Sequence, residues 1–161
     1  MSEFQNYNGP IIDVWANCWD NNFFKQYPRL RELYQRLGIE GRMELSPENL
    51  VQEAKKAKIT KIILSATVCG EAQVTNAKVY ETSKKASDLI SPCASVDPRN
   101  GMESIRQLRY AVNDLGCIAV KFLPFLYGLP PNHASFFPLY AECVELNVPA
   151  LILTGHTAVN L

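Results

Sequence analysis

Five short runs of nearly uninterrupted apolar residues, separated by stretches with helical spacing, constrain the fold of this chain most. They are "PIIDVWANCW" (10–19), "KIILSATV" (61–68), "ISPCASVDP" (90–98), "CIAVKFLPFL" (117–126) and "VPALILTG" (148–155). A strand with one face in water alternates apolar and polar residues. A continuous run of this length predicts a strand covered on both faces, as in a parallel sheet. The intervening helices have readable ends. In "SPENLVQEAKKAK" (46–58), Ser46 is the expected N-cap, Pro47 the first helical residue and Glu48 a first-turn acid. Leu50, Val51 and Ala54 form its apolar face. The spacing predicts a second helix over 71–89 that buries Val74, Ala77 and Val79. A third, over 102–116, buries Ile105, Leu108, Ala111, Val112 and Leu115, with Gly116 at its C-terminal cap. A fourth, over 135–147, is expected to bury Phe136, Phe137, Tyr140 and Val144.

Alternating strands and helices imply right-handed crossovers and one parallel sheet. No glycine-rich phosphate loop follows any strand, which weighs against a nucleotide-binding fold. The expectation is therefore an α/β chain with a parallel (β/α) TIM-barrel-like fold. A full eight-stranded barrel takes about 250 residues. These 161 residues supply five strands, so the barrel is expected to be incomplete, a single domain over 1–161. The polar, aromatic segment 20–45, with a helix in "YPRLRELYQRLG", reads as an insertion after the first strand. Three origins fit a five-stranded sheet: a shortened product of a longer barrel, a chain that closes its barrel against another copy, or a smaller sheet protein.

Charge excludes several function classes. Sixteen basic residues balance sixteen acidic ones, so no net field draws the chain to nucleic acid or an anionic membrane. Lys55, Lys56 and Lys58 read as a solvated helix face. No apolar run approaches the roughly 18 residues of a membrane span, and the polar N-terminus has no signal-peptide order. Five scattered cysteines without a Cys-x-x-Cys pair fit a reduced, cytoplasmic setting.

The order and spacing of several of these stretches resemble the amidohydrolase-related family, which includes aminocarboxymuconate-semialdehyde decarboxylase-like and resorcylate decarboxylase-like enzymes. The similarity is carried by "SPENLVQEAKKAKITKIILSATV", by "ASVDP", by "DLGCIAVKF" and by "VPALILTG", from about residue 10 to 155. The resemblance implies a (β/α)8 barrel with one divalent metal, usually zinc, at its C-terminal mouth. It also implies hydrolysis, or decarboxylation of aromatic and related small acids, with the metal polarising substrate and activating water.

At the family's ligand positions this sequence departs from the pattern. The first family strand ends in Asp-x-His-x-His, two imidazoles on one face. The matching residues here are Asp13, Trp15 and Asn17. Indole nitrogen is a donor only, and an amide oxygen is a weak ligand beside imidazole. The fifth-strand histidine position holds Leu153, and Lys121-Phe122-Leu123-Pro124 stands where relatives read Lys-x-His-Pro. No metal is therefore expected in this chain, although zinc belongs to the family. Of the two histidines, His133 reads as a loop residue, and His156 as a loop residue near the mouth or a substrate contact.

Lys121, the one charge inside an apolar strand, either binds a substrate carboxylate or forms an ion pair with Asp97 or Asp13. Asp13 bonds backbone at the mouth or acts as a base; Trp15 lines a core or pocket; Cys18 faces the outer helices. Three functions follow: a family member with impaired chemistry toward small carboxylic acids, lactones or aromatic acids; a metal-independent lactone hydrolase using Asp13, Asn17 and Lys121; or a binding or assembly module, a homo-oligomer that closes its open sheet. The expected partner in the enzymatic cases is a small carboxylate or lactone, not nucleic acid or membrane.

Overall fold

The computed structural model describes residues 9–18, 24–25, 28–36, 38, 46–69 and 72–154. Five strands form one parallel sheet: β1 (Ile12–Asn17), β2 (Lys61–Ser65), β5 (Ile90–Ser95), β6 (Ala119–Phe122) and β7 (Ala150–Ile152), in the spatial order β1-β2-β5-β6-β7. Helices α1 (Pro28–Arg36), α2 (Pro47–Lys56), α3 (Asn76–Lys84), α4 (Met102–Asn113) and α6 (Phe137–Glu145) lie between them, with a one-turn α5 (Pro124–Tyr127) after β6. Strands β3 (Thr67–Cys69) and β4 (Ala72–Val74) make a separate antiparallel ribbon. No described helix is long and apolar enough to cross a membrane.

The outward faces of the strands meet the helices in two apolar clusters. Ala16, Ile62, Leu64 and Ile90 pack with Leu50, Ala54 and Val79. Ala94, Val96, Val120 and Phe122 pack with Ile105, Leu108, Ala111 and Leu139. Each Val, Leu, Ile or Phe among them stabilises the fold by roughly 1.5–3 kcal/mol when fully buried. Ser46 caps α2 as its sequence predicts, its Oγ accepting the Asn49 N–H at 3.2 Å with Pro47 in the first turn. Ile105, Leu108, Ala111 and Leu115 are buried as the helical spacing requires, and Gly116 adopts the left-handed φ of 63°.

Three elements differ from the sequence expectation. The run 61–68 is not one strand: β2 stops at Ser65, and Thr67 and Val68 turn into the ribbon, where Thr67 pairs with Val74. The helix expected over 71–89 starts only at Asn76, because Thr75 caps it, its Oγ1 accepting the Lys78 N–H at 3.1 Å. Val74 is therefore a buried strand residue, and Ala77 is exposed. Finally, β6 ends at Phe122, because Pro124 offers no N–H to a ladder and opens α5 instead.

The last helix is rotated relative to expectation. Pro138 in the first turn sets the start of α6 at Phe137, which is 60% exposed, and Val144 is 81% exposed. The inward stripe is the buried Phe136, Leu139 and Cys143 with the half-buried Tyr140, spaced i, i+3, i+7 and i+4. Phe136 stacks on Tyr140 at 5.7 Å and meets Phe122 edge-on at 5.9 Å. Glu142 lies on the inner side of this helix and takes two hydrogen bonds of 2.7 Å from Arg109 on α4.

Candidate functional site

The C-terminal ends of β1, β2, β5 and β6 gather a polar group around Lys121. Ser95 on β5 pairs with Lys121 on β6, and on the other side Asn17 pairs with Ser65 and Ser65 with Cys93. Paired residues in neighbouring parallel strands face the same way, here away from the outer helices. The Lys121 side chain is 1% exposed. Its Nζ donates to Asn17 Oδ1 at 2.9 Å and to Thr67 Oγ1 at 3.0 Å, and lies 5.6 Å from the centroid of the Trp15 ring. Burial pushes the amine down from 10.5 to about 7, opposed by the nearby Cys93. Burial in turn pushes the Cys93 thiol up to about 11. The cysteines at 93, 117 and 143 are free, buried and held as thiols by the same desolvation, which suits packing and not nucleophilic attack.

A bulge in β1 decides what faces Lys121. Asp13 pairs with Ile62 and Ala16 with Leu64, so β1 carries one residue more than β2 between these points. The extra residue breaks the period-2 relation on which Asp13, Trp15 and Asn17 would share a face. By register Asp13 lies on the side of Ile62, which packs outward, while Asn17 lies on the side of Ser65. The Asp13 carboxylate accepts the Trp15 N–H at 3.0 Å, bracing the bulge. Cys18 packs against the outer cluster, as expected.

The structure thus brings Trp15, Asn17 and Lys121 together and gives Asp13 a backbone role. Asp97 also has another partner than the one considered for it. Arg99 grips it through Nε at 2.9 Å and Nη2 at 2.6 Å, and Ser104 Oγ donates to its backbone carbonyl. The Arg99 guanidinium lies 5.3 Å over the Tyr127 ring, and the Tyr127 hydroxyl donates to Val68 O at 2.7 Å. Asn76 clamps both backbone groups of Ser95, and the Val68 N–H donates to Ser95 Oγ. These contacts fix the β3–β4 ribbon over the strand ends and place Thr67 against Lys121. Sequence reasoning missed Thr67 and Ser65. Their signal was the alternation Lys61, Ile63, Ser65, Thr67, polar at the strand's end. Leu153 continues the β7 ladder by donating to Phe122 O and is 41% exposed. His133 Nδ1 accepts the Ser135 N–H in its loop. His156 lies outside the described residues.

A profile of the amidohydrolase family matches residues 12–161. The chain belongs to the amidohydrolase family. No curated protein matches it. Among solved structures, an uncharacterised TIM-barrel protein of Bordetella bronchiseptica is 21% identical over 94% of this chain and 58% of its own, with a TM-score of 0.72. A 5-carboxyvanillate decarboxylase of Novosphingobium aromaticivorans, solved with manganese and 3-methoxy-4-hydroxy-5-nitrobenzoic acid, is 18% identical over 90% of this chain and 51% of its own (TM-score 0.75). A 4-oxalomesaconate hydratase of Rhodopseudomonas palustris is 17% identical over 88% and 51%, with a TM-score of 0.60. At these identities the likeness shows the fold: the five strands are part of a TIM barrel. The chain spans between half and three-fifths of these structures' lengths.

Among the described residues, the donor set at the strand ends of this chain does not fit a divalent metal. Where the family pattern has imidazoles, Trp15 and Leu153 offer no lone pair. At the remaining position of the first-strand pattern, Asn17 Oδ1 accepts from the protein's own ammonium. Among the described residues no three His, Cys, Asp or Glu side chains cluster as metal ligands.

Proposed function

We propose that this amidohydrolase-family chain binds a small carboxylic acid at Lys121, and that the positions of Trp15, Asn17 and Leu153 do not support the metal-assisted chemistry of the family. By lineage the chain is a hydrolase or carbon–carbon lyase of the decarboxylase kind, impaired in that reaction. The observation that carries this reading is the Lys121 ammonium, 1% exposed at the strand ends, seated on Asn17 and Thr67.

The chemistry follows from the surroundings. A hydrogen bond from an ammonium to a carboxylate is charge-assisted, and it gains strength where water is excluded. Asn17 and Thr67 set the direction of the Nζ, and the Trp15 ring face adds attraction for the charged form. A bound carboxylate favours that charged form and opposes the downward push of burial. Similarity in fold to a protein solved with a substituted benzoic acid supports an aromatic acid as the class.

Calorimetric titration of the chain with benzoate and with manganese tests the proposal. Benzoate is expected to bind, manganese to leave that binding unchanged, and Lys121→Met to abolish it. Stoichiometric manganese binding that switches on decarboxylation of 5-carboxyvanillate would overturn it.

A further inference from the structure

One hydroxyl in this polar group has no hydrogen-bond partner. Ser65, the last residue of β2, is 1% exposed, and its Oγ is the buried side-chain polar atom without a partner among the described residues. Leaving a buried hydroxyl unbonded costs stability, so native structures satisfy such groups or keep them for a purpose. Ser65 is not in a random part of the core. Its register partners are Asn17 on β1, which takes the Lys121 ammonium, and Cys93 on β5. The Ser65 hydroxyl lies near enough to the Cys93 thiol to favour its ionised form, as does the Lys121 amine, but its geometry falls short of a hydrogen bond. Ile62 and Leu64, the neighbours of Ser65 on the other face, fill the outer cluster.

We propose that Ser65 is a ligand-binding residue: its hydroxyl donates to the second oxygen of the carboxylate whose first oxygen meets Lys121. This rests on the carboxylate reading above and extends it from one cation to a two-donor site. A carboxylate has two acceptor oxygens, and an ammonium alone satisfies it incompletely. Asn17 Oδ1 and Thr67 Oγ1 are both engaged by the Lys121 amine in the resting protein. Ser65 Oγ, beside them, has no partner at all. The pairing also explains why a serine that gains nothing in the resting protein sits between Asn17 and a buried cysteine.

The test compares the full chain with Ser65→Ala and Lys121→Met, by melting temperature without ligand and by titration with benzoate and with the neutral benzyl alcohol. Ser65→Ala is expected to melt no lower than the parent, because its hydroxyl bonds nothing there. It is expected to bind benzoate about tenfold more weakly, the loss of one hydrogen bond to a charged group. Benzyl alcohol is expected to bind poorly to all three. Parent-like benzoate affinity in Ser65→Ala, with binding lost in Lys121→Met, overturns the role of Ser65 and leaves the carboxylate site standing. A melting temperature several degrees lower in Ser65→Ala also overturns it, since the hydroxyl would then be structural. Benzoate affinity unchanged in Lys121→Met, or benzyl alcohol binding as well as benzoate, overturns the carboxylate site and this inference with it.

Discussion

Replacing Lys121 with Met separates the cost of burying this amine from the bonds it makes. Met is unbranched and of similar reach, so it fills the stem's space without strain. Burial pushes the amine from its ordinary 10.5 down to about 7. At about 1.4 kcal/mol per tenfold change in proton affinity, the charged form carries a burden of about 5 kcal/mol below neutral pH. Against this, the variant loses two hydrogen bonds, to Asn17 and Thr67. It leaves the buried Thr67 hydroxyl without that bond, a loss of about 2–3 kcal/mol in all. At pH 6 Lys121→Met is therefore expected to be more stable than the parent by about 2 kcal/mol. The sign with pH is fixed. The folded value is lower than the unfolded one, so between 7 and 10.5 the unfolded chain binds more protons, and parent stability rises with pH in that window. By pH 9 the remaining burden is about 2 kcal/mol, so the gap between the proteins narrows by about 3 kcal/mol and the variant's advantage disappears. Burial raises the Cys93, Cys117 and Cys143 thiols, which withdraw stability above about pH 9. All three are present in both proteins and cancel in the comparison. Urea unfolding at pH 6 and pH 9 measures the gap. A variant less stable than the parent at pH 6, or a gap that does not change with pH, would refute the reasoning.

Phe136→Ala, at a fully buried position inside the aromatic stack, is expected to cost about 3–5 kcal/mol, and Phe137→Ala, at a largely exposed one, less than about 0.5 kcal/mol. Equal costs would show that α6 has the other rotation. Thr75→Ala removes the cap of α3 and is expected to cost about 1 kcal/mol by the same urea assay. The hydrogen bonds from Arg109 hold the Glu142 carboxyl below its ordinary 4.5. Its contribution is therefore present above that range and lost as pH falls through the lowered value. Glu142→Gln should lower the melting temperature modestly at pH 7, by an amount that shrinks as the pH falls below 4.5, and a constant difference would show that the charge does not matter.

How much was legible depends on how each element is encoded. The five strands of the sheet, the Ser46 cap and the buried face of α4 are written in local patterns, and the structure reproduces them. Lys121 stood out because a charge within an apolar strand needs partners. Those partners were not legible: Thr67 reaches Lys121 only because the ribbon leaves the sheet after Ser65, and a continuous "ILSATV" hides that exit. Val74 and Ala77, three residues apart, also match a helical spacing, which hides the ribbon's second strand; the Thr75 cap marks the true start of α3. The rotation of α6 hangs on Pro138, which fixes the first turn but leaves no mark on the apolar periodicity. The bulge in β1 is the least legible feature, since an extra residue in one strand appears only against the register of its neighbour.

That bulge links the fold to the site. Without the extra residue between Asp13 and Ala16, strict alternation would keep Asn17 on the side of Asp13, which is the side of Ile62 and the outer helices. Lys121 would then face β2 and the ribbon without its amide acceptor, and the burden of burying the amine would rest on Thr67. Asp13, whose carboxylate accepts the Trp15 N–H, holds the bulge that turns Asn17 inward. The carboxylate at this position thus acts on the site through the backbone, by setting which side chain meets the ammonium. A site of this kind is built from the ends of four strands and a ribbon, and its lysine donates to the neutral oxygens of Asn17 and Thr67. On the proposed carboxylate reading, a bound anion supplies the acceptor that Ser65 Oγ lacks.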